Sequence, residues 1–91
     1  MGRLLFVIEA TFLIEGRSLV LCPGIIPEGD ERFSVGDLVQ LRRPDGTSLN
    51  RPIRGLEFFS PPRPGSPLGV LIHDLSKMDV PDGTECWSVS E

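Results

Sequence analysis

Phe6-Val7-Ile8-Glu9-Ala10-Thr11-Phe12-Leu13-Ile14 is the stretch whose reading decides the fold class. From Leu5 to Glu15 the residues alternate. Phe6, Ile8, Ala10, Phe12 and Ile14 fall on one face. Leu5, Val7, Glu9, Thr11, Leu13 and Glu15 fall on the other, which turns polar toward its end. A period of two belongs to an extended strand with one well-buried face. A helix would place apolar residues at i, i+3, i+4 and i+7, and no stretch of this chain does so over three turns. The same run excludes two targeting readings. Glu9 interrupts it too early for a signal peptide, and no small-residue cleavage site follows. Leu4 to Ile14 is also short of the ~20 apolar residues that span a bilayer. The expectation is a cytoplasmic protein with no membrane partner.

Outward from this strand, turn signals recur. Glu15-Gly16-Arg17 forms a turn, and Ser18 to Cys22 a second β-rich run that Pro23-Gly24 stops. A loop leads to a short strand at Leu38 to Arg42. Pro44-Asp45-Gly46-Thr47 is a strong turn, since proline presets φ and glycine supplies a positive φ. Pro52 to Phe59 alternates again, with Arg54, Leu56 and Phe58 opposite Ile53, Gly55, Glu57 and Phe59. Ser60 to Pro67 holds four prolines and cannot donate a full ladder. Leu68 to His73 is strand-like, Asp74 to Thr84 is a polar connection with room for one helical turn, and Glu85 to Val89 closes the chain as a strand. Six short strands with frequent turns indicate an all-β sandwich or small barrel. A barrel has the advantage of removing free edges.

Composition agrees. Ninety-one residues suit a single domain spanning 1–91. Gly 10 and Pro 9 argue against a helical bundle. A formal net charge of −4 argues against a generic DNA-coating protein. The length excludes a complete GTPase, kinase or dinucleotide enzyme. Charge is unevenly placed. Residues 42–63 carry Arg42, Arg43, Arg51, Arg54 and Arg63 against Asp45 and Glu57, while both flanks are acidic. The middle block is either an anion or RNA patch or a set of solvated arginines balanced in space by the flanks. Cys22 and Cys86 show no zinc spacing, and whether they pair stays open. His73 is the only histidine, and Asp74 beside it points to the opposite face of a strand. Trp87 is either a core residue or an interaction anchor. Pro61-Pro62-Arg63-Pro64 fits a PxxP pattern but more simply is a stiff loop. No metal site, cofactor or catalytic group is indicated.

Several landmarks together resemble the second, β-barrel domain of translational GTPases of the elongation factor Tu and elongation factor 1A type. They are the opening strand with Gly16-Arg17, then Val35-Gly36-Asp37-Leu38-Val39, Gly55-Leu56-Glu57-Phe58-Phe59, and the run Arg63 to Val70. Gly69 to Gly83 has a matching internal length. The resemblance implies a small six- to seven-stranded β-barrel standing alone. It also departs from the family. No G-x-x-x-x-G-K-[ST] occurs, so nothing cradles phosphates. His73 stands where the family often has arginine or a related polar residue. In that family the glutamate matching Glu57 helps form a pocket for the terminal adenosine of aminoacyl-tRNA. The expected function is therefore a non-catalytic binding module that docks a protein partner, in translation or elsewhere. The alternative is contact with an RNA 3' end through Glu57, Phe59, Arg51, Arg54, Arg63 and His73.

Overall fold

The computed structural model describes residues 2–14, 18–57 and 66–89. Eight strands form among them: β1 (Leu4–Val7), β2 (Ala10–Ile14), β3 (Ser18–Ile25), β4 (Leu38–Arg42), β5 (Ser48–Pro52), β6 (Gly55–Glu57), β7 (Leu68–His73) and β8 (Glu85–Ser88). The described residues hold no α-helix, only a 3-10 turn at Lys77–Asp79. The chain is all-β, as expected. Every pairing is antiparallel. Two four-stranded sheets result, ordered β1-β8-β4-β5 and β2-β3-β7-β6.

The small barrel of six to seven strands expected from the sequence takes the form of eight strands in two sheets that meet at two corners, and the ladder does not close. The reason lies in two corners. Ile8 donates its N–H to the Thr84 carbonyl at 2.8 Å, and the next residue, Glu9, donates to the Cys22 carbonyl at 2.8 Å. Within one residue the chain leaves the first sheet and joins the second. Ile53 donates to the Asp37 carbonyl at 2.8 Å, and Arg54 to the Leu71 carbonyl at 2.8 Å. That is the second corner, at the opposite edge. The hydrogen-bonded ladder stops at each corner instead of running round. Both corner isoleucines are fully buried, so the bends are fixed by the core they fill.

A corner also changes which face is inside. Phe6 and Ile8 enter the core as the alternation predicts, but Leu5, expected on the other face, is buried in it too, where the register of β1 against β8 shifts between Leu4 and Phe6. Beyond the corner the phase slips by one. Thr11 is buried, while Phe12 and Ile14, expected inside, are 54% and 44% exposed. A one-residue slip turns every following side chain to the other face.

Pro23-Gly24 does not end β3. The strand continues to Ile25, and its register against β7 breaks between Leu21↔Val70 and Ile25↔Leu68. Four steps along β3 match two along β7, so the strand bulges. Gly24 sits in the bulge at φ +117°, with no room for a side chain: a Cβ there would lie 2.2 Å from the Leu68 carbonyl oxygen. The bulge returns Ile25 to the core. That core joins Leu19, Leu21, Val70 and Ile72 of one sheet to Val39, Leu41 and Cys86 of the other. Each such aliphatic side chain contributes about 1.5–3 kcal/mol on burial.

Loops complete the closure. Leu75 and Val80 insert from the 74–84 connection into the core. Between them the 3-10 turn is held by Asp79, whose Oδ2 accepts the Ser76 N–H at 2.8 Å and the Ser76 hydroxyl at 3.1 Å. These bonds keep the Asp79 carboxyl below its usual range. At the other end Arg3 ties the chain start to the 26–31 loop. Its Nε donates to Glu31 Oε2 at 2.8 Å and its Nη2 to Glu31 Oε1 at 2.5 Å.

Candidate functional site

The residues marked from the sequence do not assemble into one site. Glu57 ends β6, exposed, on the outer face of the second sheet. His73 ends β7, also exposed on that face. Glu57 pairs with Gly69, four residues from His73 along β7, so the two are about 13 Å apart along the strand. Arg51 belongs to the first sheet. It pairs with Val39 and its Nη1 donates to the Asn50 carbonyl at 2.9 Å. Arg54 is exposed at the second corner. Phe59 and Arg63 lie outside the described residues.

The arginine block is divided: Arg43 and Arg51 both lie near enough to Asp79 to help lower its carboxyl, while Arg42 stands apart from them. Arg42 lies on the outer face of the first sheet, its guanidinium carbon 3.9 Å from the centre of the Trp87 ring. Arg43 turns elsewhere: its Nε donates to the Asp79 carbonyl at 2.6 Å and its Nη1 to Thr47 Oγ1 at 3.2 Å. Among the described residues the ion pairs join Arg3 to Glu28 and Glu31, so neither Arg51 nor Arg54 holds Glu57.

What the fold does gather on its outside is apolar. Register places Phe12, Val20, Leu71 and Gly55 in one cross-strand row on the outer face of the second sheet. Val20 is only 1% exposed, although it lies outside the core cluster. Its neighbours in the row, Phe12 and Leu71, flank it. Leu71 leans over Gly55, where a Cβ would come within 2.9 Å of Leu71 Cδ2. The row ends at β2, the edge strand, whose other side pairs with no strand among the described residues. There Phe12, Leu13 and Ile14 are exposed in succession, Leu13 at 54%. The 3-10 turn flanks this edge. Its Lys77 Nζ lies 5.8 Å from the centre of the Phe12 ring, and its Met78 is 91% exposed. An open groove of about 430 Å³ runs between Ala10–Phe12 and Lys77, Val80, Pro81 and Asp82.

Trp87 is neither a core residue nor a bare anchor. It pairs with Gln40 and Leu4 on the outer face of the first sheet, half-buried beneath Arg42, and its Nε1 donates to Glu85 Oε1 at 2.9 Å. No sequence signal separates this from a core tryptophan, because the inward residues of β8 differ from it only by strand phase.

The cysteines are both free. Cys86 is buried, which pushes its thiol up to about 12. Cys22 is half-buried and also raised by burial. Cys22 pairs with Ala10, four residues along β3 from Ser18, the partner of His73, so no cysteine–histidine pair forms. Among the described residues no group of three or more His, Cys, Asp or Glu is placed to hold a metal ion. No helix there is long and apolar enough to cross a membrane.

The fold and surface define a class only: an all-β chain of two cornered antiparallel sheets with an apolar edge strand. Comparison with protein-family models, with curated proteins and with solved structures found no match.

Proposed function

We propose that this chain is a non-catalytic binding module that docks a protein partner. One observation carries the reading: three consecutive large apolar residues, Phe12, Leu13 and Ile14, stand exposed on a strand at the edge of a sheet. Natural proteins blunt such edges, because an open row of backbone donors and acceptors beside apolar side chains recruits another chain. Met78 extends the apolar surface beside it. The resemblance to the second domain of translation elongation factors makes a translation component the first partner to seek. The RNA reading draws less support, since Arg42 stacks on Trp87, and Arg43, with Arg51 near it, is turned toward Asp79 instead of standing free.

The test is affinity capture of the tagged chain from its own host, with Leu13→Lys and Ile14→Lys beside the wild type. A specific complex lost in these variants is the expected result. Repeated captures that recover nothing above background overturn the docking role. Titration of a labelled CCA-ended RNA at low salt checks the other reading. Binding whose salt slope falls on Arg51→Ala or Arg54→Ala would move the function to RNA.

A further inference from the structure

We propose that Met78 is a sulfoxidation site: peroxide converts its thioether to the sulfoxide and makes the apolar surface beside β2 polar. The consequence for docking rests on the role proposed above, but the modification itself does not. Met78 is 91% exposed on the 3-10 turn. Its position is built, since Leu75 before the turn and Val80 after it are anchored in the core. Asp79 donates its N–H to the Ser76 carbonyl at 3.0 Å and Val80 to the Lys77 carbonyl at 3.2 Å, which closes the turn. These anchors hold the thioether out in solvent, where an oxidant reaches it.

The competing oxidisable groups are shielded. Cys86 is fully buried, and burial pushes its thiol up to about 12. Cys22 is half-buried, and burial raises its thiol as well. A cysteine reacts as the thiolate, so both are depleted of the reactive form at neutral pH. A thioether has no proton to lose, and its lone pairs stay available at any pH. Trp87 is half-buried beneath Arg42. Met1 lies outside the described residues.

In the reaction a lone pair of Met78 Sδ attacks one oxygen of hydrogen peroxide. The S–O bond forms as the O–O bond breaks. The transferred hydroxyl then gives its proton to the departing hydroxide, which leaves as water. Sulfur is oxidised by two electrons and peroxide is reduced by two. The product is a polar, chiral side chain that methionine sulfoxide reductases return to the thioether. So exposed a side chain takes the extra oxygen without disturbing the core. What changes is the surface. Lys77 of the same turn reaches toward Phe12, its Nζ 5.8 Å from the ring centre, so Met78 stands on the segment that borders the exposed Phe12-Leu13-Ile14 run. A partner covering both gains by burying the thioether, whereas the sulfoxide oxygen must give up its water. Oxidation therefore weakens docking, and reduction restores it.

The experiment treats the purified full chain with hydrogen peroxide at mildly acidic pH. Peptide mapping and hydrophobic-interaction chromatography follow the product. One added oxygen should appear on the peptide holding Met78, which mapping separates from Met1, while both thiols remain titratable. The oxidised chain should elute earlier and keep its amide spectrum outside the turn and β2. In Met78→Leu the same treatment should leave elution unchanged. Oxidation of Cys22 or Trp87 ahead of Met78 overturns the proposal, and so does an elution that does not move. A partner captured from the host should bind the oxidised chain about tenfold more weakly. Methionine sulfoxide reductase should restore that binding, and Met78→Leu should bind equally before and after peroxide. A partner indifferent to oxidation removes the effect on docking while leaving the docking role intact. Earlier elution with no host partner leaves the modification site standing and removes the docking role.

Discussion

Replacing Gly24 with alanine tests the account of how the second sheet is built. Gly24 occupies the bulge that lets β3 rejoin β7 two residues out of step. Its φ of +117° is one that L side chains rarely adopt. A Cβ there would lie 2.2 Å from the Leu68 carbonyl oxygen, 2.5 Å from its carbonyl carbon and 2.8 Å from the Gly69 nitrogen. All three are backbone atoms, so no side chain can rotate away. Left-handed backbone costs an L-residue roughly 1–2 kcal/mol. Forcing a methyl into packed atoms adds about 1–3 kcal/mol. The expected loss for Gly24→Ala is therefore about 3 kcal/mol or more, against a total stability of roughly 5–14 kcal/mol for a chain this size. Gly46→Ala is the control, because Gly46 shares a positive φ of +93° but has nothing within 4 Å of its would-be Cβ. It should lose only the conformational part, about 1–2 kcal/mol. Urea unfolding followed by Trp87 fluorescence measures both. With a slope of about 1–1.5 kcal/mol per molar, the Gly24→Ala midpoint falls by about 2–3 M. If Gly24→Ala costs no more than Gly46→Ala, the bulge is not built as described.

Other expectations follow from the same structure. Arg3 holds the Glu31 carboxyl down to about 2, aided by the Glu28 N–H. A depressed carboxylate stabilises above its unfolded pKa near 4.5, and the contribution is lost as pH falls from there toward 2. A carbon-detected NMR titration should find Glu31 raised toward the ordinary carboxylate range in Arg3→Ala, with the Glu28 N–H still holding it partly down. The folded chain should react with a thiol reagent at Cys22 first, and at Cys86 only after unfolding, because burial keeps that thiol protonated. Two equal rates in the native state would contradict this. Arg42→Ala should shift Trp87 emission to the red by uncovering the ring, and should cost about 0.5–1 kcal/mol in urea unfolding.

The strands at Leu38 to Arg42, Leu68 to His73 and Glu85 to Val89 were legible as short β-forming runs between turn signals, and β4, β7 and β8 lie there. The corners were not. A strand that passes from one sheet to another keeps its period of two on each side, and only the phase changes. Ile8 and Thr11 are both buried three residues apart, which is the trace the corner leaves in the sequence. β5 escaped for a different reason. Ser48-Leu49-Asn50-Arg51-Pro52 is an edge strand with polar residues outward, and Leu49 alone hints at it. The Pro44–Thr47 turn was the better signal, because a tight turn after β4 calls for a partner strand. The site was less legible still. Glu57 and His73 were correctly placed on strands, yet their spacing along β6 and β7 depends on register that the sequence does not carry. The exposed edge at Phe12–Ile14 was hidden by the same phase slip that hid the corner, since both residues read as core.

The docking role is most directly tested by hydrogen–deuterium exchange on the chain alone and in complex with a partner recovered from its own host. Slowed exchange in the complex at residues 10–14, with the Leu19 to Leu21 amides already slow in both states, is the result the structure predicts. Recovery of no partner, or a complex that leaves residues 10–14 exchanging as they do in the free chain, would contradict it.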